Sequence, residues 1–417
     1  MKANVIHGDF NPCGGAERLS LVTIQALFEM GIDDIDLTTL TRPNVSKLKN
    51  TYGKSLVSIL ERINKINIIN IFEDILKTQL GDQDYDYDIT INTNGDTAPY
   101  YRPSFSKYNA ITYCHFPSTK YHIESESIDY LKTDLGMIER SNGFFDNGDT
   151  ADIKKRFRRK ECYEILKYGY SSLMKNSTVI TNSEFSKMAI SSALGLDNIC
   201  TLSPPIDIDT FRNVTLANQD NKVKDIILVI ARMAPHKKIE NAIRLAKILK
   251  DKNIGKGMKI VGNLYEYYFD YYLKIKQLVL DLGLNDYITF EINANLNKLL
   301  SIMQESRVYF HPMVGEHFGM AVVEAMAAGL ITIVPSIGGP AEFVPQQYQF
   351  NTVEHAAEII TDVFNHVPKT GRIKVNNEIN KFSNSHFIEG FQTILNELLP
   401  RSYAAKINPT YHRYLSK

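Results

Sequence analysis

The sequence predicts an α/β protein made of two doubly wound domains, each a parallel sheet with helices on both faces. Short apolar runs alternate with segments of helical periodicity, which is the pattern of repeated strand–helix–strand units. The pattern stops at Pro204-Pro205 and a polar stretch through Lys224, and then it starts again. Two open sheets in succession predict a ligand site in a cleft between the domains, at the carboxyl ends of the strands.

Short apolar runs predict the strands of the first domain, which are Ala3–His7, Tyr87–Asn92, Asn109–Cys114, Thr178–Asn182 and Cys200–Ser203. The helix predicted over Ala16–Met30 follows the first strand. A second helix, over Glu184–Leu194, can be capped by Ser183 and ended by Gly195. We expect this domain to cover residues 1–205, with a long insert at about 117–175.

The second domain repeats the same alternation over residues 206–395. Its predicted strands are Asp225–Ala231, Met258–Gly262, Tyr287–Phe290, Arg307–His311 and Leu330–Pro335. A helix over Ile239–Lys250 has apolar residues at helical spacing. We expect a C-terminal helix to cross back to the first domain, together with the segment 396–417.

The composition excludes several classes of protein. Lysine plus arginine and aspartate plus glutamate both number 47, so no overall field would draw the 417-residue chain onto nucleic acid. Four widely spaced cysteines without a C-x-x-C pair argue against a zinc knuckle or a disulfide framework and favour a reducing compartment. The polar start and the lack of an apolar run of ~20 residues predict a cytoplasmic protein without a leader or a membrane span.

The loop after the fourth predicted strand of the second domain carries the strongest chemical signal. It contains Glu316, and the helix that begins near Phe318 would present free amides that favour an anion. Glu324 lies two turns further along this otherwise apolar helix, where a buried carboxylate is costly without a partner. We therefore interpret both glutamates as functional rather than as solvated charges.

Two cations follow the first predicted strand of the second domain. Arg232 and Lys237 stand five residues apart at a carboxyl end that faces the predicted cleft. A forked guanidinium and a lysine point charge are suited to grip a diphosphate, although such residues in strand-to-helix loops are commonly solvated. Together with the helix start near Phe318, they predict a phosphate site.

A glycine pair, Gly14-Gly15, follows the first strand and opens a helix. Paired glycines let the backbone approach a ligand and donate amide hydrogen bonds. The segment does not match G-x-G-x-x-G, and no acidic residue stands where a dinucleotide ribose needs one, so a dehydrogenase is not predicted. A tight turn without a ligand is an equally good interpretation.

Taken together, these segments resemble the retaining GT-B glycosyltransferases of family 4 over nearly the whole chain. Glu316 and Glu324 match the E-x7-E pair of that family. Arg232 and Lys237 match its phosphate-binding cations, and Gly14-Gly15 matches its first glycine loop.

Other motifs look like those of a narrower branch, the GDP-mannose-dependent α-1,2-mannosyltransferases of dolichol-linked oligosaccharide assembly. These motifs are Glu316–Gly319, Gly338–Pro340, Tyr113–Pro117 and Pro204–Asp207. A homologue in another lipid-linked or surface-glycan pathway, including one that uses a UDP-sugar, is equally compatible.

The resemblance implies a role for each candidate residue. Glu324 would hold the ribose hydroxyls of the nucleotide, and Glu316 would contact the donor sugar near its anomeric carbon. His115 would lie beside the sugar, although a lone histidine is more often a packed residue. The remaining donor contacts would come from the loop and helix start at His317, Phe318, Gly319 and Met320.

The same resemblance implies transfer with retention of configuration and without a metal. As the sugar–phosphate bond breaks, the nucleoside diphosphate gains negative charge, which Arg232, Lys237 and the helix amides can stabilise. The candidate catalytic residues are therefore Glu316, His115, Arg232 and Lys237. The D-x-D stretches within Asp82–Asp88 and Asp207–Asp209 are interpreted as structural, and no histidine spacing indicates zinc.

A basic run at Lys154–Lys160, followed by an apolar stripe, is typical of a helix that docks on anionic lipid headgroups. A solvated charged face explains it about as well. Two other functions share the architecture, namely a nucleotide-sugar 2-epimerase, which would lack the E-x7-E spacing, and a binding protein without chemistry.

Overall fold

The computed structural model describes residues 1–68, 87–95, 110–118, 174, 177–216, 224–367 and 377–399. The chain divides into two compact units, of which unit 1 contains Met1–Pro204 and Phe387–Lys417 and unit 2 contains Pro205–His386. The division at Pro204 lies one residue from the predicted boundary. Unit 2 ends at residue 386, whereas the sequence predicts residue 395.

Unit 1 is built on parallel strands connected by helices. In chain order its elements are β1 (Lys2–Ile6), α1 (Gly15–Glu29), β2 (Asp34–Thr39), α2 (Val45–Tyr52), α3 (Lys54–Val57), a 3₁₀ turn (Ser58–Arg62), β3 (Lys65–Ile68), β4 (Ile89–Asn92), β5 (Ala110–Tyr113), β6 (Ser177–Thr181), α4 (Glu184–Leu194) and β7 (Ile199–Thr201). Over the described residues the sheet order is β3-β2-β1-β4-β5-β6-β7. The strand order reverses between β1 and β4, which makes this the topological switch point of the sheet. The carboxyl ends of these two strands therefore flank the crevice where such sheets bind ligands.

Strands β2 and β3 are not among the strands predicted from sequence. Strand β2 carries Asp36 in the interior of the sheet, where Tyr87 donates its hydroxyl hydrogen to the carboxylate at 2.9 Å and the Lys2 ammonium lies 3.6 Å away. An acidic residue inside a strand interrupts the apolar run from which a buried strand is predicted. Its burial is possible only with polar partners, and these lie far away in the sequence. Strand β3 lies at the edge of the sheet and is only partly covered.

Unit 2 repeats this architecture. Its elements are α5 (Ile208–Leu216), β8 (Ile226–Ile230), a 3₁₀ turn (Pro235–Lys237), α6 (Ile239–Asp251), β9 (Gly257–Gly262), a 3₁₀ turn (Glu266–Tyr268), α7 (Phe269–Asp281), β10 (Ile288–Ile292), α8 (Leu296–Glu305), β11 (Val308–Phe310), α9 (Met320–Ala327), β12 (Ile331–Pro335), 3₁₀ turns (Gly339–Glu342 and Gln346–Tyr348), β13 (Gln349–Phe350), α10 (Val353–His366) and a 3₁₀ segment (Asn377–Phe382). Within the described residues the parallel strands are ordered β10-β9-β8-β11-β12-β13, so the switch point lies between β8 and β11. The two-residue strand β13 is not predicted from sequence.

Both faces of the second sheet are buried, which explains the unbroken apolar run of β8. Ile227 and Val229 join one core cluster with Ile243 of α6, whereas Leu228 joins another with Val322 of α9. Successive strand residues point to opposite faces, so a sheet with helices on both sides needs apolar residues at every position.

The final helix, α11 (Asn384–Leu398), leaves unit 2 and packs on unit 1. Phe387, Phe391 and Leu395 enter the core of unit 1, and Gln392 Nε2 donates to Ala26 O at 3.1 Å. The predicted return of the C-terminal helix is therefore confirmed, while residues 400–417 lie outside the described part of the chain. No helix within the described ranges is both long enough and apolar enough to cross a membrane.

Candidate functional site

The switch point of unit 2 brings Lys237 and Glu316 together. Lys237 ends the 3₁₀ turn that follows β8, and Glu316 lies in the loop that follows β11. Lys237 Nζ donates to Glu316 Oε2 at 2.7 Å, and the two side chains are 23% and 13% exposed. The pairing of β8 with β11 makes this contact between residues 79 positions apart.

His311 approaches the same carboxylate oxygen from a buried position. Its Nε2 lies 3.4 Å from Glu316 Oε2, and its side chain is 5% exposed. Its Nδ1 lies 3.1 Å from the hydroxyl of Tyr309, which is fully buried. Glu316 therefore has a long, flexible lysine on one side and a fixed imidazole on the other.

These neighbours decide the charge of Glu316. Burial on its own would raise the pKa of this carboxyl, but the charge of Lys237 and the side chain of His311 outweigh it and hold the pKa well below its usual range. Burial, and then the charges of Glu316 and Glu324, raise the pKa of Tyr309 well above its usual value. Both carboxylates thus act on the same buried phenol, which places Glu324 of α9 in the same region as Glu316.

A glycine pair fixes the position of the Glu316 loop. Glu316 and Gly338 form a parallel bridge, and Gly339 N donates to Glu316 O at 2.8 Å. A Cβ on Gly339 would lie 2.1 Å from His317 O, and one on Gly338 would lie 2.8 Å from Glu316 O. Only residues without a Cβ permit this approach of two backbones.

The start of α9 continues this loop. Gly319 has a φ of 84° and caps the helix, which begins at Met320, two residues after Phe318. His317 N donates to Glu316 Oε1 at 3.2 Å. The Phe318 ring is buried 5.5 Å from the Phe343 ring, so the Phe318 side chain packs in the core and only its backbone faces the loop.

Arg232 stands at the exposed end of β8 with its guanidinium 5.6 Å from the centroid of the Tyr265 ring. The nearby His236 has its pKa lowered to about 4 by partial burial and then by the charges of Lys237 and Arg232. At neutral pH His236 therefore adds no positive charge to that of Arg232 and Lys237. Of the two candidate cations in the loop after β8, Lys237 is paired with a carboxylate, whereas Arg232 forms no salt bridge among the described residues.

Unit 1 joins Gly14 and His115 in one network at its own switch point. Gly14 N donates to the Glu17 carboxylate, whose Oε1 lies 3.6 Å from His7 Nε2. His7 Nδ1 lies 3.2 Å from Thr93 Oγ1. Thr93 O in turn lies 3.3 Å from His115 Nε2. The two candidate features of the first domain therefore follow β1 and β5, and Thr93, at the end of the intervening strand β4, connects them.

The Gly14 amide already has an acceptor within the protein. Burial on its own would raise the pKa of Glu17, but its interactions with His7 and with the Gly14 amide lower it below the usual value. Cys13, just before the pair, adopts a φ of 56°, and Tyr52 donates its hydroxyl hydrogen to Gly14 O at 2.5 Å. The glycine loop is thus held from both sides by side chains of unit 1.

Two candidate segments from the sequence fall wholly or largely outside the described residues. Lys154–Lys160 and most of Asp82–Asp88 lie outside the described residues. Asp207 Oδ1 accepts a hydrogen bond from Thr210 N at 3.4 Å at the start of α5, in line with a structural role. Within the described ranges, no group of three or more histidine, cysteine or carboxylate side chains forms a metal cluster.

Sequence reasoning gave no role to the buried partners of these groups. His311 and Tyr309 stand behind Glu316, and His7 and Thr93 stand behind Glu17. Each histidine directly follows an apolar strand, and that position is the only signal in the sequence that points to it.

Residues 209–377 match the family described as Glycosyl transferases group 1. The chain is 24% identical over 317 residues to the GDP-Man:Man(3)GlcNAc(2)-PP-Dol alpha-1,2-mannosyltransferase of Dictyostelium discoideum. This alignment covers 70% of this chain and 59% of that relative. It is 30% identical over 175 residues to the Homo sapiens protein of the same description. That alignment covers 40% of this chain and 35% of the relative. The chain therefore spans less than two thirds of the length of these relatives.

The solved structure of Anabaena Alr3699/HepE in complex with UDP is similar to the chain, with a TM-score of 0.64. The likeness covers 95% of this chain and 100% of that chain at 17% sequence identity. At this identity the likeness shows the fold alone. With the two parallel sheets, it confirms the predicted fold class.

Proposed function

Since unit 2 carries a group 1 glycosyl transferase domain, we propose that the chain is a retaining glycosyltransferase that moves a hexose from a nucleotide sugar to a glycan acceptor. The observation that carries the proposal is the joined pair of Lys237 and Glu316 at the switch point of that domain. A cation and a carboxylate held together at this edge match the needs of a negatively charged leaving group and a cation-like sugar.

The leaving diphosphate would be stabilised by groups of unit 2. Arg232 is exposed and supplies a forked donor, while Lys237 supplies a point charge on a flexible stem. The backbone amides at the start of α9 point along the helix axis and favour an anion. Glu324, on the same helix, would hold the ribose hydroxyls, and the diphosphate itself would accept the proton of the attacking hydroxyl.

Lys237 would have to change partners during this reaction. In the structure its ammonium is bonded to Glu316. A bound diphosphate presents more negative charge than one carboxylate, so the ammonium would turn toward the phosphate and leave Glu316 beside the sugar. The resting ion pair would then keep both side chains in place until the donor arrives.

The donor is proposed to be GDP-mannose and the acceptor a lipid-linked or surface glycan, because two relatives carry the name of a GDP-mannose-dependent enzyme acting on a dolichol-linked oligosaccharide. His115 would lie beside the sugar. Peripheral contact with a membrane through Lys154–Lys160 stays a prediction from the sequence. A UDP-sugar is the second candidate donor, in view of the UDP bound to the Anabaena neighbour.

The function is tested by incubating the purified chain with GDP-mannose or with UDP-sugars, with and without a lipid-linked oligomannose acceptor. We expect acceptor-dependent release of GDP and a product one mannose longer with an α linkage. Lys237→Met should abolish most of the transfer, whereas Lys274→Met, which removes an exposed lysine of α7, should leave it unchanged. Transfer from a UDP-sugar but not from GDP-mannose would show that the donor is a UDP-sugar. Formation of an epimerised free sugar would overturn the proposal.

The proposed chemistry needs no metal, because Arg232, Lys237 and the helix amides would stabilise the leaving group. We expect turnover to survive EDTA. Loss of all turnover in EDTA that Mn²⁺ or Mg²⁺ restores would contradict this part of the proposal, whereas equal rates with and without chelator support it.

A further inference from the structure

We propose that His311 is a positioning residue for Glu316, and that it retains the carboxylate when Lys237 turns to the donor phosphate. This inference rests on the proposed function and names a part of the site that the sequence motifs do not contain. It arises from the packing behind Glu316 rather than from the residues that face the ligand.

The backbone places Tyr309 and His311 on one side of the sheet. They are two positions apart along β11 and its continuation, so both side chains point to the same face. Tyr309 is fully buried in the cluster that contains Val322 and Val323 of α9. This packing fixes the position of the phenol, and its hydroxyl lies 3.1 Å from His311 Nδ1.

The state of Tyr309 selects the tautomer of His311. Because the pKa of this phenol is well above its usual value, the phenol stays protonated and can donate to Nδ1. The ring proton of a neutral imidazole then sits on Nε2, which faces the carboxylate of Glu316. The opposite tautomer would direct a lone pair at a negative charge.

The Nε2 atom of His311 is a buried donor that makes no hydrogen bond to the described residues. It is 3.4 Å from Glu316 Oε2 and has no hydrogen-bond partner within the part of the chain that the structure describes. Buried polar atoms are nearly always paired, so an unpaired one beside a carboxylate needs an explanation. Movement of Lys237 would free Glu316 Oε2 to shorten this contact into a hydrogen bond.

Among the described residues, the charged groups near this pair include Lys237 from the loop after β8 and Glu324 from α9, and the imidazoles of His236 and His317 also interact with Glu316. The Lys237 ammonium would leave Glu316 in the complex, and the Glu324 carboxylate acts on the neighbouring phenol of Tyr309. Without His311 the described donors to the Glu316 carboxylate would then reduce to the His317 amide at Oε1, and Oε2 would lose the side chain that fixes its direction toward the sugar.

Three variants separate positioning from packing. His311→Leu removes the donor, His311→Gln keeps an N–H near the position of Nε2, and Tyr309→Phe removes only the hydroxyl. We expect His311→Leu to lower kcat by about ten- to hundredfold with little change in the KM for the donor, since a hydrogen bond to a charged group is lost. His311→Gln should recover most of that loss, and Tyr309→Phe should lower kcat about tenfold.

Melting temperatures and GDP affinity are measured alongside. A loss of kcat that is equal in the Leu and Gln variants, or a kcat within twofold of the parent in His311→Leu, would overturn the positioning role. Loss of kcat in proportion to the fall in melting temperature would do the same, because it would assign His311 to packing alone.

A readout that needs no activity keeps this inference separate from the proposed function. In chain labelled with ¹⁵N-histidine, the signals of His311 are identified by their absence in His311→Gln. We expect the Nε2-protonated tautomer in the parent and loss of that preference in Tyr309→Phe. A ring protonated on Nδ1 in the parent overturns the inference even if mannosyl transfer is demonstrated, and absence of transfer with the expected tautomer overturns only the function.

Discussion

Each unit places a buried histidine directly after a strand that flanks its switch point, with a glutamate next to it. In unit 1, Nε2 of His7 lies 3.6 Å from Glu17, and in unit 2, Nε2 of His311 lies 3.4 Å from Glu316. In both, Nδ1 of the imidazole meets a hydroxyl group, at 3.2 Å and 3.1 Å respectively. The two halves have therefore arrived at the same local arrangement on similar sheets.

The third member of each arrangement differs. Glu17 holds a backbone amide, that of Gly14, whereas Glu316 holds the side-chain ammonium of Lys237. A backbone amide at the start of a helix cannot swing away, but a lysine on a four-carbon stem can. The comparison teaches that the same pair of residue types fixes a loop in unit 1 and holds a side-chain cation in unit 2, which we propose to be exchangeable.

The largest effect is expected when the carboxylate of the exchangeable pair is neutralised. Glu316→Gln should lower kcat by about 10²–10³, because the group proposed to face the cation-like sugar loses its charge. Steady-state transfer from GDP-mannose measures it. A similar loss in Glu17→Gln would remove the functional difference between the two pairs.

Replacing Arg232 should lower kcat less than replacing Glu316 does, but more than replacing an exposed lysine outside the site. Arg232→Ala is expected to lower kcat by about ten- to hundredfold, since one charged donor to the leaving group is lost. GDP release in the presence of acceptor measures the effect, with Lys274→Ala as the matched exposed cation. Equal rates in Arg232→Ala and the parent would show that the leaving group does not reach this end of β8.

Glu17→Gln tests the fixed pair through stability. The buried carboxylate bonds the Gly14 amide and lies beside His7, so its replacement should lower the free energy of unfolding by about 1–3 kcal/mol. Denaturant unfolding monitored by circular dichroism gives the value. Glu316→Gln should cost less, because its partner Lys237 can turn to solvent; the reverse order would contradict the proposed division between a fixed and an exchangeable pair.

The smallest effect is a pH dependence of stability. Glu17 and Glu316 both have a pKa below the ordinary value in the folded chain, so they bind protons more weakly when folded than when unfolded. Their contribution is complete above the unfolded pKa and is lost as the pH falls through the folded value, so the free energy of unfolding should decline below about pH 4.5. The decline should be shallower in Glu17→Gln than in the parent, and parallel curves would contradict the inference.

Much of this arrangement follows from the sequence alone. Continuous apolar runs such as β8 predict buried parallel strands, and the sharp turns around Gly14 and Gly319 mark where helices begin. Because ligands bind at the carboxyl ends of such strands, Lys237 and Glu316 could be assigned to one site across 79 positions.

What sequence patterns could not supply are contacts that depend on tertiary packing. Strand β2 was missed because the burial of Asp36 is stabilised by Tyr87, 51 residues away. His311 received no role because the sequence shows it only as the last residue of a predicted strand. Only the strand register, which puts the Tyr309 hydroxyl on one side of the ring and Glu316 on the other, gives it a role.

The exchange of Lys237 between Glu316 and a phosphate is the central claim, and a crystal structure of the chain with bound GDP tests it most directly. We predict that the Lys237 ammonium lies within hydrogen-bond distance of a GDP phosphate and has left Glu316, from which it is now 2.7 Å. GDP bound away from the loop after β8, with Lys237 still bonded to Glu316, would contradict the account.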